Sequence, residues 1–294
     1  MHHVQAITMR GMARSTSTVR SRQVSAELRR LRLERGFTAA EFADRLGMSA
    51  SKISRIETGL RSLRESDVAA MLGLLEVPEQ RREELLAMVR SQDKTGWWQT
   101  QGSGLPELWK GLIDLESRAT RIHNFELAFV PGLLQTADYS AAVIQGIRPM
   151  LPESDLARLV GSRMTRQLML RKQDKDFVFV VDESVLRRTI GEQGVMGNQL
   201  RHLASFHDRP NIRLRVVPAD AGAYAGLRGP FMILDFKAEP SVAYYENHGT
   251  CVFPEAKDDV AAYRQALRDI LATALSPADS VELINAVVAE SPKG

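Results

Sequence analysis

At 294 residues the chain is long enough for two domains, and its apolar and charged fractions, 44% and 26%, are those of a globular protein with a buried core. Cys251 is the only cysteine, which excludes an intrachain disulfide and a zinc cluster of thiolates. The net charge of +3 conceals an asymmetry, because residues 1–64 hold 13 Lys and Arg against 5 Asp and Glu while the remainder is acidic. That pattern points to a polyanionic partner for the front of the chain alone. No apolar run approaches the roughly 18 residues of a membrane helix. The N-terminal basic residues have no apolar stretch behind them, so no secretory signal is expected and the expected location is cytoplasmic.

Residues 1–22 mix arginines with Ser, Thr and Met and read as a flexible basic tail. From Val24 the spacing becomes helical, with Val24, Leu28 and Leu31 on one stripe and Gly36 in the C-cap position. Thr38 and Glu41 form a capping-box pattern that opens a second helix with Phe42, Ala43 and Leu46 inward. Gly47 breaks it, and Ser49 caps a third helix in which Ile53 and Ile56 face the core. Ala50, Ser51, Lys52, Ser54 and Arg55 are left outward. Gly59 ends that helix, and Arg61 and Arg64 lie in the basic loop beyond it. A fourth helix carries Val68, Met71, Leu72 and Leu75. Pro78 precedes a fifth with Leu85, Leu86 and Val89. The predicted unit is an all-α, five-helix domain over residues 23–91, and its helix, tight turn, basic helix order is that of a DNA-reading helix-turn-helix.

The segment LRRLRLERGFTAAEFADRLGMSASKISRIETG resembles the XRE (Cro/phage-repressor) helix-turn-helix family. The resemblance rests on Thr38-x-x-Glu41, Leu46-Gly47, Ser49, Ile53 and Glu57-x-Gly59 together. It implies that Ala50, Ser51, Lys52 and Arg55, opening the third helix, reach base edges in the major groove of double-stranded DNA. Arg55 or Lys52 suits guanine acceptors, and Ala50 offers at most contact with a thymine methyl. Thr38, Ala39 and the cap Ser49 would lie by the backbone, with Arg61 and Arg64 on phosphates or the minor-groove edge. Glu57 resembles an acid that pairs with a basic residue of the first helix, here Arg32, in a structural role. Binding as a homodimer to two half-sites is the default geometry.

Residues 92–104, with Trp97-Trp98 and QTQGSG, read as a linker. After Pro106 the spacing of Leu108, Leu112, Leu115, Ala119 and Ile122 predicts one long helix, followed by a short extended stretch over Phe125–Val130. A helix dense in arginine, over about 154–170, reads as a solvated or acid-paired face. Phe177–Val181, Ile212–Val217, Phe231–Phe236 and Val242–Tyr245 read as four strands. The tail from Asp258 is helical again. Residues 105–289 are therefore an α+β domain around a small sheet. The pieces ELAFVPGLLQTADYS, VVDESVLRR and NIRLRVVPADAGAYAGLRGPFMILDF resemble a C-terminal domain of unknown function attached to XRE modules in many actinobacterial regulators. That resemblance implies a possible small cognate protein encoded nearby, in arrangements likened to toxin–antitoxin pairs.

Candidate catalytic groups resolve into simpler roles. Asp182 and Glu183 end a strand, where Asp182 or Ser184 caps the next helix and Glu183 favours its positive N-terminus. His202 and His207 are five apart and face different sides of a helix. His248 and Cys251 offer too few ligands for a metal. No G-x-S-x-G, H-E-x-x-H or P-loop occurs. No catalytic residue, metal or cofactor is expected. The glycine-rich ADAGAYAGLRGPF loop, with Tyr224 and Arg228, reads as a mobile connection with room for a ligand. The expected protein is a sequence-specific transcriptional regulator whose second domain senses a ligand or binds a small partner. The alternative is an antitoxin-like binder with DNA binding as autoregulation.

Overall fold

The structure, a computed structural model, describes residues 19–59, 63–90, 107–247 and 250–290. The chain divides into two units, Met1–Thr95 and Gly96–Gly294. In the first, the described residues form α1 (Val19–Glu34), α2 (Ala39–Arg45), α3 (Ala50–Glu57), α4 (Glu65–Leu74) and α5 (Glu79–Arg90). Their apolar stripes meet in one core of Val24, Leu28, Phe42, Ile53, Ile56 and Met71, each at most 1% exposed. α1 begins inside the segment read as tail. Ser21 and Ser25 are buried at i and i+4 beside Val24 and Leu28, so small serines extend a stripe that hydrophobicity alone starts later. Residues 1–18, the linker 92–104 and its tryptophans lie outside the described residues.

Three of these helices close in the same way. After α2, Gly47 N–H donates to Asp44 O and Met48 N–H to Ala43 O, with Gly47 at φ 62°. That is the Schellman arrangement, whose left-handed residue is normally glycine. Gly36 serves α1 likewise, through Gly36 N–H to Leu33 O and Phe37 N–H to Arg32 O. α4 repeats it through Glu76 N–H to Gly73 O and Val77 N–H to Leu72 O. There the left-handed position, at φ 50°, holds Glu76.

The described residues of the second unit begin with α6 (Glu107–Arg118) and are built on a six-stranded mixed sheet of order β3-β2-β1-β4-β5-β6. β1 is Arg121–Glu126, β2 Asp176–Asp182, β3 Ile212–Val217, β4 Phe231–Asp235, β5 Val242–Asn247 and β6 Thr250–Val252. β1, β2 and β3 run parallel, and the other pairings are antiparallel. The β1–β2 connection carries α7 (Ala137–Ile147) and α8 (Glu153–Arg166). The β2–β3 connection carries α9 (Glu183–Arg187) and α10 (Val195–Ala204). α11 (Lys257–Thr273) and α12 (Pro277–Glu290) follow β6, and Leu267, Ile270 and Ala274 pack against Phe125, Val178 and Val180 of the sheet. β2 is apolar on both faces because it is internal to the parallel half.

The α+β class is as expected, but the sheet is wider than the four strands read from sequence. The helix after Pro106 stops at Arg118, and Ile122 belongs to β1, where it pairs with Phe177 and Leu234. The extended stretch ends at Glu126 rather than Val130. Two buried ionic contacts fix the helix–strand junction. Lys175, 5% exposed, directs its ammonium at the carbonyls of Glu116, Ser117 and Ala119, at 3.0, 2.7 and 2.5 Å. It thereby satisfies the orphan acceptors at the end of α6. Arg166 forks onto the fully buried Glu116 at 2.9 and 2.6 Å, so this α8 arginine is acid-paired.

Toward its carboxyl end the outer edge of β3 is covered by the α11–α12 corner. Val216 N–H donates to Ser280 Oγ at 3.0 Å, Leu275 N–H donates to Val216 O at 2.8 Å, and Arg215 Nε donates to Leu275 O at 2.6 Å. The backbone groups that Val216 would otherwise leave unpaired on this edge are thus satisfied by side chain and corner. No single helix among the described residues is long and apolar enough to cross a membrane.

Candidate nucleic-acid interface

Local hydrogen bonding sets the α2–turn–α3 geometry. Thr38 Oγ1 accepts from Glu41 N–H at 3.2 Å, and Glu41 Oε2 accepts from Thr38 N–H at 2.9 Å, completing a capping box at the start of α2. Ser49 Oγ accepts from Lys52 N–H at 3.2 Å and starts α3. Ile53 and Ile56 are buried beneath α3, which leaves Ala50, Ser51, Ser54 and Arg55 exposed on one polar face. Arg32 and Glu57, 6% and 7% exposed, pair through Nε–Oε1 at 2.6 Å and Nη2–Oε2 at 2.8 Å. Arg32 Nη1 also donates to Phe37 O at 2.6 Å, so one guanidinium ties α1 to α3 and to the turn before α2. Such a fork aligns the two helices as well as neutralising both charges.

The outward residues are not equivalent. Among the described residues the side chains of Ser51 and Arg55 have no hydrogen-bond or ion-pair partner. Arg64 is exposed at the N-cap position of α4 and makes no side-chain cap. Thr38 is exposed but committed to its cap, with Ala39 beside it at the first position of α2. Lys52 differs. Its ammonium lies 2.7 Å from Asp67 Oδ1 on α4, with the two side chains 26% and 13% exposed. Nothing local to α3 foretells this, because the partner is fifteen residues away on another helix. Arg61 lies outside the described residues.

In the second unit, Asp182 caps α9 by accepting from Ser184 N–H at 2.9 Å, and its other oxygen accepts the Tyr224 hydroxyl at 2.6 Å. Burial opposes ionisation of Asp182, but hydrogen bonding from Ser184, side chain and N–H, and from Tyr224 outweighs it and holds the carboxyl below the usual range, while burial and Asp182 push the Tyr224 phenol well above its own. Glu183 is 7% exposed. It accepts from Ala219 N–H at 2.8 Å and from Arg187 Nε at 2.6 Å. Both carboxylates thus tie the helix after β2 to the loop after β3. Among the described residues no group of three or more His, Cys, Asp or Glu is placed to hold a metal ion. His248 lies outside them.

Two short helices joined by a glycine turn, each burying one edge and the second keeping a polar face outward, define a DNA-binding helix-turn-helix unit. Residues 23–85 accordingly match the family described as "Helix-turn-helix domain". Residues 109–286 match the family described as "Domain of unknown function (DUF5753)". That second match spans more than half of the chain, and the protein belongs to this family. Comparison with curated proteins and with solved structures finds no match.

Proposed function

We propose that the protein is a cytoplasmic, sequence-specific transcriptional regulator of the XRE type, whose second domain controls DNA binding through a ligand or a small partner protein. The observation that carries this reading is the exposed face of α3, where Ser51 and Arg55 stand unpartnered beside Ala50. Arg55 is the reader of guanine, Ser51 a reader of several bases, and Ala50 a contact for a thymine methyl. Thr38, Ala39, Ser49, Arg61 and Arg64 position the unit on the sugar–phosphate backbone of double-stranded DNA. A homodimer would present two such faces to half-sites about one helical turn apart.

The test is selection of binding sequences from a random DNA pool by the full chain, followed by titration on the selected site. Arg55→Ala is expected to weaken specific binding by about 1–3 kcal/mol and to relax one base position, whereas Arg64→Ala weakens all sequences alike. Equal binding of the selected site by the wild type and by Ser51→Ala/Arg55→Ala would remove α3 as the reading element.

A further inference from the structure

A cleft of about 470 Å³ opens at the carboxyl ends of the parallel strands β2 and β3, a size within the ~300–1,000 Å³ of small-molecule sites. Open sheets with parallel strands place ligands in this position, because the loops leaving the carboxyl ends diverge there. The walls are held rigidly. The Tyr224 hydroxyl is bound to Asp182, and its ring meets Phe125 edge-on with centroids 6.1 Å apart. Glu183 anchors the start of the same loop at Ala219. Just beyond the Tyr224 anchor the loop passes so close to the sheet that a Cβ on Gly226 would fall 2.4 Å from Phe125 Cζ and 2.4 Å from Tyr224 Cε2. The ADAGAYAGLRGPF segment, read from sequence as a mobile connection, is therefore stitched to β1 and β2.

The lining carries the carboxylates of Asp182 and Glu183 and the guanidiniums of Arg187 and Arg188, so it is balanced in charge. Glu183 and Arg187 satisfy each other, and Arg187 also reaches Glu290. Two charged groups remain for a ligand. Asp182 accepts two hydrogen bonds of the roughly four a carboxylate can take. Arg188 is exposed and has no ion pair among the described residues. Beside them stand the Tyr224 ring and Leu227, the latter 58% exposed although large and apolar.

We propose that this cleft binds a small zwitterion with an apolar side chain, of amino-acid or dipeptide size, its ammonium on Asp182, its carboxylate on Arg188 and its side chain on Leu227 and Tyr224. A balanced lining disfavours a ligand of net charge, because one wall would then face a like charge in a partly desolvated cleft. The proposal names the ligand class for the control domain and depends on the regulator reading only for its effect on DNA.

The experiment is calorimetric titration of the full chain with L-leucine and L-leucyl-L-leucine. The one-charge analogues 4-methylpentanoate and 3-methylbutylamine serve as controls. A zwitterion is expected to bind, each analogue at least about tenfold more weakly, since each lacks one charge-assisted hydrogen-bonding group. Arg188→Gln, at an exposed position, and Asp182→Asn, which keeps the helix cap, are each expected to weaken binding by a similar factor. Absence of binding by both zwitterions, equal binding of 4-methylpentanoate, or unchanged affinity in Arg188→Gln overturns the assignment. DNA binding measured on the same preparations keeps the two readings apart. DNA bound without any zwitterion bound overturns the cleft assignment and leaves the regulator standing. Zwitterion bound with DNA affinity unchanged supports the cleft and removes it as the control of DNA binding.

Discussion

The Lys52 ammonium, on the helix proposed to read DNA, is held 2.7 Å from Asp67 of the following helix, and both side chains are partly withdrawn from water. An ion pair in that setting competes directly with a phosphate or a guanine for the same cation. Lys52 thus braces α3 against α4 in the free protein, and in the proposed reading base contacts fall to Ser51 and Arg55. Asp67→Asn would release the ammonium toward DNA. We expect non-specific affinity to rise and the slope of log K against log salt concentration to steepen by about 0.9, with the ratio of specific to non-specific binding reduced. Lys52→Met should change specific affinity little. An unaltered salt slope in Asp67→Asn would mean that the lysine already contacts phosphate in the complex.

Arg32 and Glu57 present the opposite case, an ion pair almost wholly enclosed. Removing one member strands a buried charge, at a cost of about 3–5 kcal/mol, whereas replacing both by apolar groups is often neutral. Glu57→Leu alone should therefore unfold the helical unit at moderate temperature, and Arg32→Met/Glu57→Leu should recover most of the loss. Denaturant titration followed by circular dichroism reads both. A double variant as unstable as the single one would point to Phe37 O, which loses its Arg32 donor in the double variant but keeps it in Glu57→Leu.

At Glu76 a bulky residue sits where the helix-ending motif favours glycine. Its carboxylate lies 2.7 Å from Arg35, but that pair is exposed and worth little. Left-handed backbone costs a residue with a Cβ about 1 kcal/mol. Glu76→Gly is accordingly expected to stabilise the helical unit by a few tenths to about 1 kcal/mol, after the looser unfolded chain is counted. A fall in denaturation midpoint would show that the Arg35 contact is the stronger effect.

Two carboxyls of the second unit act in opposite directions with pH. Burial pushes Glu126 up to about 7, against a hydrogen bond from Asn124, with Glu246 adding to the rise and Arg163 opposing it. The folded state therefore holds this proton more tightly than the unfolded chain. Its contribution is present below the ordinary carboxyl range and is lost as pH rises toward 7. Asp235 is held far below its usual range by His123, Ser241 and Arg264, which together outweigh its burial. Its contribution is present above the ordinary range and is lost in acid. Glu126→Gln should raise the melting temperature relative to wild type at pH 8, and the difference should shrink as pH falls through 7. A difference independent of pH would mean that Glu126 does not titrate there.

The helical unit was legible because its determinants are local. The capping box at Thr38, the glycines at 36 and 47 and the buried Ile53 and Ile56 lie within one or two turns of what they control. The Lys52–Asp67 ion pair is not legible for the converse reason, the partner being brought near only by the packing of α3 against α4. In the second unit, Leu115, Ala119 and Ile122 continue a helical spacing by coincidence, and RIHNFE has little β-branched character. β1 exists because β2 and β4 pair with it on both sides, a tertiary effect that overrides weak local preference. The cleft was half visible. Asp182 and Tyr224 each stand out in the sequence, but they are forty-two positions apart and only the fold brings them to their hydrogen bond.

The closure of β3 by Ser280 and Leu275 also has a temporal side. Translation delivers all six strands before it delivers the corner that seals the first edge of the sheet. Until α12 emerges, the nascent domain carries an adhesive backbone rim beside an apolar surface, the situation in which chains join one another. A chain cut before α12 would therefore keep that rim open at Val216, and it is expected to self-associate more readily than the full chain.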